Sequence, residues 1–180
     1  AIISRLVEQK GFDLFGPVCE KLKELDAQFV ILGTGAYKYE DMFRYLNGTS
    51  SNIRAKIEFG AALSHKIYAG SDMFLMPSRF EPCGLGQMFS LRYGTVPVVR
   101  KTGGLADSVE QFNRETGTGN GFLFETYDAE GILWAVGEAL KIYTDTDKWN
   151  TLVKNCMNTK LSWSDSAEKY MELYKEMLNN

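Results

Sequence analysis

The sequence contains few of the residues on which disulfide frameworks and cysteine metal sites depend. Its 180 residues include one histidine and three cysteines, Cys19, Cys83 and Cys156. The cysteines are odd in number, lie far apart and form no CxxC pair. This pattern predicts free thiols in a reducing cytoplasm, so we do not expect disulfides to hold the fold together.

The chain also lacks an excess of basic residues and a long apolar run. Lys and Arg number 20 against 23 Asp and Glu, which gives a net charge of −3. Without a basic excess the chain has no broad face for phosphate backbones, so we expect no nucleic-acid partner. No apolar run approaches the roughly 20 residues that span a bilayer, and no leader pattern is present, so we expect no membrane partner. The start, Ala1-Ile2-Ile3, has no initiating Met and reads as the end of a strand, which predicts one part of a larger chain.

The residues that are abundant predict an α/β fold. Apolar residues make up 44% of the chain, enough for one full core. Short apolar strands alternate with amphipathic helices, which predicts right-handed βαβ units and a doubly wound parallel sheet of the Rossmann-like kind. We expect this domain to span residues 1–160, with added C-terminal helices of which the last occupies 161–180. The predicted strands are Ala1–Ser4, Gln28–Leu32, Ile53–Phe59, Asp72–Met76 and Val96–Arg100, and the predicted helices are Asp13–Leu25, Tyr37–Leu46, Ala61–Ala69, Gly84–Tyr93, Leu105–Phe112, Ala129–Tyr143, Lys148–Asn158 and Asp165–Leu178.

Glu81 lies where a ligand of such a sheet would bind. It follows a predicted strand and precedes a predicted helix, and doubly wound sheets bind ligands beyond the carboxyl ends of their strands. Cys83, Gly84, Leu85 and Gly86 begin that helix, and free amides at a helix start bind anions or sugar hydroxyls. The competing interpretation is that Glu81 only caps the helix, and spacing alone leaves both open.

Two further segments fall at the same predicted sheet edge. Thr102, Gly103 and Gly104 stand between a strand and a helix, where free amides form a small anion-binding nest. Arg5 and Lys10 follow the first strand, and two cations beside such amides suit a diphosphate. Taken singly, the first segment could be an ordinary turn and the second a pair of solvated surface cations.

Read together, these segments resemble bacterial glycogen synthases and starch synthases. The stretch Pro77–Val109, with Ser78-Arg79-Phe80-Glu81-Pro82-Cys83-Gly84-Leu85 and Lys101-Thr102-Gly103-Gly104-Leu105, is similar to their donor-site segment, and Arg5-Leu6 with Gln9-Lys10-Gly11 is similar to their basic motif. The resemblance covers essentially the whole chain. It implies the C-terminal, donor-binding half of a GT-B glycosyltransferase that transfers glucose from ADP-glucose to an α-1,4-glucan with retention of configuration. It also implies no metal and no cofactor.

The resemblance assigns roles to individual residues. Arg5 and Lys10 would neutralise the diphosphate of ADP-glucose or ADP, and Glu81 would hold the glucose hydroxyls. Six further residues would offer backbone amides to sugar and phosphate oxygens: Cys83, Gly84, Leu85, Thr102, Gly103 and Gly104. Phe59 would stack near the nucleotide base. Gly86 stands at a position where many relatives carry Thr. The glucan acceptor would bind through an N-terminal domain, so this part alone should bind nucleotide without catalysing transfer. The location would be a bacterial cytoplasm, or a plastid for a plant protein.

Several alternatives accompany this interpretation. A non-catalytic nucleotide-sugar-binding module, or another GT-B glycosyltransferase, would share the same fold. A nucleophilic Cys83 thiolate is disfavoured, because the single histidine, His65, lies in a different segment. The Asp145-Thr146-Asp147 run resembles a metal motif only superficially, and we expect a solvated turn there.

Overall fold

A computed structural model describes residues 1–178 of the chain, and in these residues six strands form two parallel sets. The first set has the order β1 (Ile2–Ile3), β2 (Phe29–Leu32) and β3 (Ile53–Lys56), and the second has the order β4 (Met73–Met76), β5 (Val96–Arg100) and β6 (Phe122–Phe124). The sets meet at Ala1, whose amine donates to the Met73 carbonyl at 2.6 Å and whose carbonyl accepts from the Leu75 amide at 2.9 Å. In space the strands therefore run 3-2-1-4-5-6, which confirms the doubly wound prediction.

The helices cover both faces of the sheet and alternate with its strands. Their bounds are α1 Phe15–Glu24, α2 Tyr37–Thr49, α3 Ala61–Gly70, α4 Gly86–Tyr93, α5 Gly103–Ser108, α6 Ala129–Tyr143, α7 Thr146–Asn158 and α8 Trp163–Leu178. Two short 3-10 turns, Glu8–Lys10 and Phe12–Leu14, connect β1 to α1. Within residues 1–178, no helix is both long and apolar enough to cross a membrane.

Apolar faces that repeat at helical spacing meet the buried strands to form the core. On α6, Ile132, Ala135 and Ala139 are completely buried, and they recur at the three- and four-residue intervals of one helix face. On the other half of the sheet, Phe12 and Phe15 pack edge-on against Phe43, with ring centroids 5.6 Å apart in both pairs. The two halves are therefore each filled by side chains that the sequence pattern places inward.

Several elements differ from the sequence-based predictions. Strand β3, for example, ends at Lys56 rather than at Phe59, and three further differences concern β6, α4 and α5. Strand β6 was not predicted, and it begins directly after the loop that ends at Gly121. Helix α4 begins at Gly86 rather than Gly84, because Gly84 has a left-handed φ of +77° and stays outside the helix. Helix α5 ends at Ser108, well before Phe112, because the Phe112 amide donates to the Gly121 carbonyl instead of continuing the helix.

Helix α8 stands apart from the core. None of its described residues is buried. Its large apolar side chains are exposed to solvent, and the exposed fractions of Trp163, Tyr170, Met177 and Leu178 range from 58% to 87%. Its start is stabilised locally, since the Ser162 hydroxyl donates to the Asp165 carboxylate at 2.5 Å and the Asp165 amide donates back to Ser162 at 3.2 Å. The predicted separation of 161–180 from 1–160 stays a prediction, and positions 179 and 180 lie outside the described residues.

Candidate functional site

Three segments converge beyond the carboxyl ends of β1, β4 and β5. The Arg79 amide donates to the Gln9 carbonyl at 2.9 Å, which joins the segment after β1 to the segment after β4. The Gly104 amide donates to the Glu81 carbonyl at 3.0 Å, which joins the segment after β4 to the start of α5. The structure therefore brings together the three segments that sequence reasoning placed at one sheet edge.

A nearly buried ion pair lies at the centre of this arrangement. The Lys10 ammonium contacts the Glu81 carboxylate, and their side chains are only 18% and 8% exposed. The Ser78 hydroxyl donates to the same carboxylate oxygen at 3.2 Å. Glu81 is thus a partner of Lys10 and Ser78, and no contact of its side chain caps α4 in the described residues. Capping was the competing interpretation of this residue.

Gly11 explains how Lys10 reaches the end of β4. It adopts a left-handed φ of +85°, and a Cβ there would lie 2.1 Å from the Pro77 carbonyl oxygen. Only a residue without a side chain permits this close approach. The turn after β1 therefore packs directly on the backbone that leads to Glu81.

The segment from Glu81 to Gly86 presents backbone amides. In the described part of the chain, the amides of Cys83, Gly84 and Leu85 have no hydrogen-bond acceptor, which leaves three consecutive donors unused. Gly86 packs against the β4 side chain Phe74, because a Cβ at Gly86 would lie 2.9 Å from the Phe74 ring. A larger residue would therefore require that ring to move.

The start of α5 corrects one predicted role. Gly104 was expected to offer its amide to sugar or phosphate, but that amide already donates to Glu81. A Cβ on Gly104 would also lie 2.1 Å from the Cys83 carbonyl oxygen, so this glycine is needed for close packing. Thr102 and Gly103 remain candidates, since no acceptor is found for their amides among residues 1–178.

Two predicted site residues lie further from this centre. Arg5 is exposed and lies two residues after the end of β1, and its side chain forms no ion pair in the described structure. Phe59 is 88% exposed in the segment between β3 and α3, beyond the end of the strand predicted to contain it. The structure places Arg5 at the same edge as Lys10, but it shows no contact between Phe59 and the central pair.

The remaining reactive side chains do not form a second centre. Cys83 is exposed, and the His65 ring contacts the Tyr93 hydroxyl at 3.0 Å rather than any thiol. Cys19 and Cys156 are buried, and burial raises the pKa of their thiols to about 11 and about 12. All three cysteines are free, as predicted.

The Asp145-Thr146-Asp147 run is a helix start. The Asp145 carboxylate accepts from the Lys148 amide at 3.2 Å and from its ammonium at 2.7 Å, and this hydrogen bonding lowers the Asp145 pKa. Among residues 1–178, no group of three or more His, Cys, Asp or Glu side chains could hold a metal ion. The run therefore caps α7 and has no metal-binding geometry.

Sequence reasoning missed one residue near the site. Tyr127, between β6 and α6, donates its hydroxyl to the Asp13 carboxylate at 2.5 Å, and its ring lies under the guanidinium groups of Arg79 and Arg100. The only signal in the sequence was Arg100 at a strand end, and nothing there indicated a tyrosine partner more than 20 residues away.

Comparisons with known proteins agree with this fold. The family described as Glycosyl transferases group 1 matches residues 1–155. The glycogen synthase of Kosmotoga olearia is 57% identical over 180 residues, which cover 99% of this chain and 38% of that protein. A glycogen synthase of Clostridium botulinum, strain Alaska E43, is 52% identical over 178 residues, which cover 98% of this chain and 37% of that protein.

Solved structures give the same result. The catalytic domain of starch synthase IV from Arabidopsis thaliana, bound to ADP and acarbose, is 40% identical with a TM-score of 0.86, over 99% of this chain and 38% of that one. Sucrose-phosphate synthase from Thermosynechococcus elongatus, at 18% identity and a TM-score of 0.73 over 99% of this chain and 45% of that one, shows the fold alone. The chain spans a little over a third of the relatives it matches. It belongs to the group 1 glycosyl transferases as their C-terminal GT-B domain, and its resemblance to glycogen and starch synthases is confirmed.

Proposed function

We propose that this chain is the donor-binding domain of a cytoplasmic, retaining glycosyltransferase that extends α-1,4-glucan from ADP-glucose. The observation that carries the proposal is the Lys10–Glu81 pair, held beside uncommitted backbone amides where the carboxyl ends of the central strands meet. A cation, a carboxylate and several amides together match a sugar diphosphate, which has anionic oxygens and hydroxyl groups.

Different charged residues of the site would bind the diphosphate and the glucose of the donor. Lys10 and the exposed Arg5 supply positive charge on one side, and fixed cations stabilise a departing nucleoside diphosphate in the transition state. Glu81 would accept hydrogen bonds from the glucose hydroxyls, and the amides of Cys83, Gly84 and Leu85, which have no acceptor in the described chain, would donate to sugar and phosphate oxygens. The relative solved with ADP and acarbose supports this choice of nucleotide.

Titration calorimetry with ADP tests the proposal on this chain. We expect saturable heat from the wild type, and an affinity at least about 10-fold weaker in Arg5→Ala and Lys10→Ala, which is about 1.4 kcal/mol. Arg114→Ala is the matched control, because Arg114 forms an exposed ion pair with Glu138 at 3.1 Å. Absence of heat from the wild type at high protein concentration would contradict the proposal.

Competition with UDP separates the synthase from another GT-B glycosyltransferase. We expect ADP to displace a bound fluorescent ADP analogue more effectively than UDP. Stronger displacement by UDP would favour a different donor on the same scaffold. Equal binding of both nucleotides, together with no glucose transfer by the full-length protein, would favour a non-catalytic nucleotide-sugar-binding module.

The chain alone should not transfer glucose. It spans 38% of its 57%-identical relative, and the acceptor would bind through the N-terminal domain of the full-length protein. We further propose that 161–180 packs toward that domain, since α8 has exposed apolar side chains and no buried described residue. Incorporation of labelled glucose into glucan by the full-length protein, but not by residues 1–180, is the expected result. Sustained synthesis by residues 1–180 would refute it.

A further inference from the structure

A cluster of five side chains contacts the loop that carries Glu81, and none of the five takes part in the proposed donor binding. It consists of Glu8, Asp13, Arg79, Arg100 and Tyr127, here called the Tyr127 cluster. The Arg79 and Arg100 guanidinium carbons lie 4.9 Å and 5.2 Å from the centre of the Tyr127 ring. Both distances fall within the range of cation–π attraction. One aromatic ring therefore holds two cations that come from two different strand ends.

Two carboxylates pair with Arg79, one of these two cations. Arg79 pairs with Glu8 at 3.2 Å and with Asp13 at 3.1 Å. The Tyr127 hydroxyl donates to the other Asp13 oxygen at 2.5 Å. Burial and this hydrogen bond raise the Tyr127 pKa to about 12, so the hydroxyl stays a donor at neutral pH. The cluster is thus connected from the turns after β1 to the segment after β6.

The backbone contacts of Arg100 give the cluster its connection to the site. An Arg100 guanidinium nitrogen donates to the Arg79 carbonyl at 2.6 Å and reaches the Ser78 carbonyl at 3.5 Å. These carbonyls lie two and three residues before Glu81. On the other side of the same loop, the Gln9 side chain donates to the Phe80 carbonyl at 3.2 Å. Each backbone carbonyl from Ser78 to Phe80 is therefore held by a side chain.

We propose that Arg100 and Tyr127 are positioning residues that fix the Ser78–Glu81 loop, and through it the Glu81 carboxylate, relative to Lys10. The inference rests on the proposed function, because the benefit of a fixed Glu81 appears only when a sugar is held. The physical reason is that misplacing a substrate-holding group by about 1 Å can reduce turnover about 100-fold. Neither residue needs to touch the substrate.

Kinetics of the full-length protein provide the first test. We expect Arg100→Met to lower kcat about 10- to 100-fold, counted per ADP-binding site, while KM for ADP-glucose changes less than about threefold. Arg100→Lys should recover part of kcat, because an ammonium can still donate to the Arg79 carbonyl. Tyr127→Phe should lower kcat less, since it keeps the ring and loses only the hydroxyl's bonds to the Asp13 carboxylate and the Glu8 carbonyl. Arg92→Met is the control, because Arg92 is exposed in the last turn of α4.

Limited trypsin digestion tests the same idea without any activity. The bond after Arg79 is a trypsin site whose carbonyl is the one that Arg100 holds. We expect cleavage there to accelerate at least about fivefold in Arg100→Met, measured by mass spectrometry relative to cleavage after Arg114 in the exposed loop before β6. Arg92→Met should leave this ratio unchanged.

The outcomes separate this inference from the proposed function. If the wild type binds ADP and makes glucan, but Arg100→Met matches Arg92→Met in kcat and in the cleavage ratio, the positioning role is wrong. If the ratio rises in Arg100→Met and the wild type does not bind ADP, the loop is held as inferred and the proposed function is wrong. If Arg100→Met does not fold, Arg100→Lys and Tyr127→Phe decide by the same two measurements, and no change in either one refutes the inference.

Discussion

The Lys10–Glu81 pair has a structural role beside the function proposed for it. Both are more than four-fifths buried, so each charge depends on the other for the interactions that water would otherwise supply. Removing one member of such a pair leaves an isolated charge in a poorly hydrated place, which destabilises a fold more than removing both. This asymmetry permits a test on stability alone.

Lys10→Met should lower the free energy of unfolding by about 3 kcal/mol, because it leaves the Glu81 carboxylate buried with only Ser78 as a partner. The double variant Lys10→Met with Glu81→Gln should regain at least half of that loss, since neither charge remains. Urea denaturation followed by circular dichroism measures both. Equal stability of the single and double variants would show that burial of the charge does not matter.

Glu40 allows a prediction of how the stability of the fold depends on pH. Its carboxylate accepts from the Thr34 hydroxyl at 2.6 Å and the Gly35 amide at 2.9 Å, and these bonds, with Arg44, lower its pKa to about 2. A pKa lowered by folding stabilises the protein above the unfolded value, near 4.3, and this contribution is lost as pH falls toward about 2. Glu40→Gln should therefore show a weaker loss of stability between pH 5 and pH 2. An unchanged pH dependence in chemical denaturation at stepped pH would contradict this.

Individual residues differed in how far the sequence revealed them. Glu81 and Lys10 could be grouped because each lies in the segment that follows a strand of a parallel sheet, and such strand ends share one edge. The hydrogen bond from the Gly104 amide to the Glu81 carbonyl could not be predicted, because it depends on how closely two loops approach each other. Tyr127 could not be found either, since it follows β6 in a polar turn that carries no periodic pattern.

At the scale of elements, the start of α5 joins the sheet to the donor site. Helix α5 has only six residues, so its position depends on the contacts of Gly103 and Gly104 rather than on its own stability. Gly103 has a left-handed φ of +45°, and a Cβ there would lie 2.2 Å from the Glu81 carbonyl oxygen. Helix α5 therefore begins where its backbone is in close contact with the backbone of the Glu81–Cys83 loop.

Gly104→Ala should separate α5 from the Glu81–Cys83 loop, because backbone atoms at 2.1 Å cannot move aside cheaply. We expect a loss of about 2 kcal/mol in stability and at least about 10-fold in ADP affinity. Gly137→Ala is the matched control, since no atom lies within 4 Å of a Cβ there and α6 should gain up to about 1 kcal/mol. Thermal unfolding and calorimetry distinguish the two variants. An ADP affinity unchanged by Gly104→Ala would refute the coupling.

Strong periodic patterns predicted the long helix α6 and the buried strand β5 well, but β6 and α5 poorly. Helix α6 matches its predicted bounds, because its apolar face repeats over 15 residues and Asp128 caps its start by accepting from the Gly131 amide at 2.7 Å. Strand β6 has only three residues, and its pairing with β5 comes from tertiary contact rather than from a local pattern. The shortened α5 has the same cause, since Phe112 bonds to Gly121 instead of to its own helix.

At the scale of the whole molecule, α8 is an amphipathic helix with no buried residue in the described chain. A chain ending at residue 160 should keep its unfolding free energy within about 0.5 kcal/mol and its ADP affinity, because no described residue of α8 is buried. The truncated chain should also self-associate less, since Trp163, Tyr174 and Met177 no longer face water. Sedimentation velocity and thermal unfolding of both chains provide the comparison. A large fall in melting temperature would show that α8 packs on its own domain.

The junction between β1 and β4, here called the seam, has a consequence that we expect for folding during synthesis. Each set is built from one continuous stretch, residues 2–56 or 73–124, whereas the hydrogen bond across the seam joins positions 72 residues apart. Contacts that close long loops form late, so we expect the two sets to organise before they join. Lys10 and Glu81 lie on opposite sides of that seam, 71 residues apart in sequence. Nucleotide binding would then report that the nascent domain is complete, because neither half alone carries both charges.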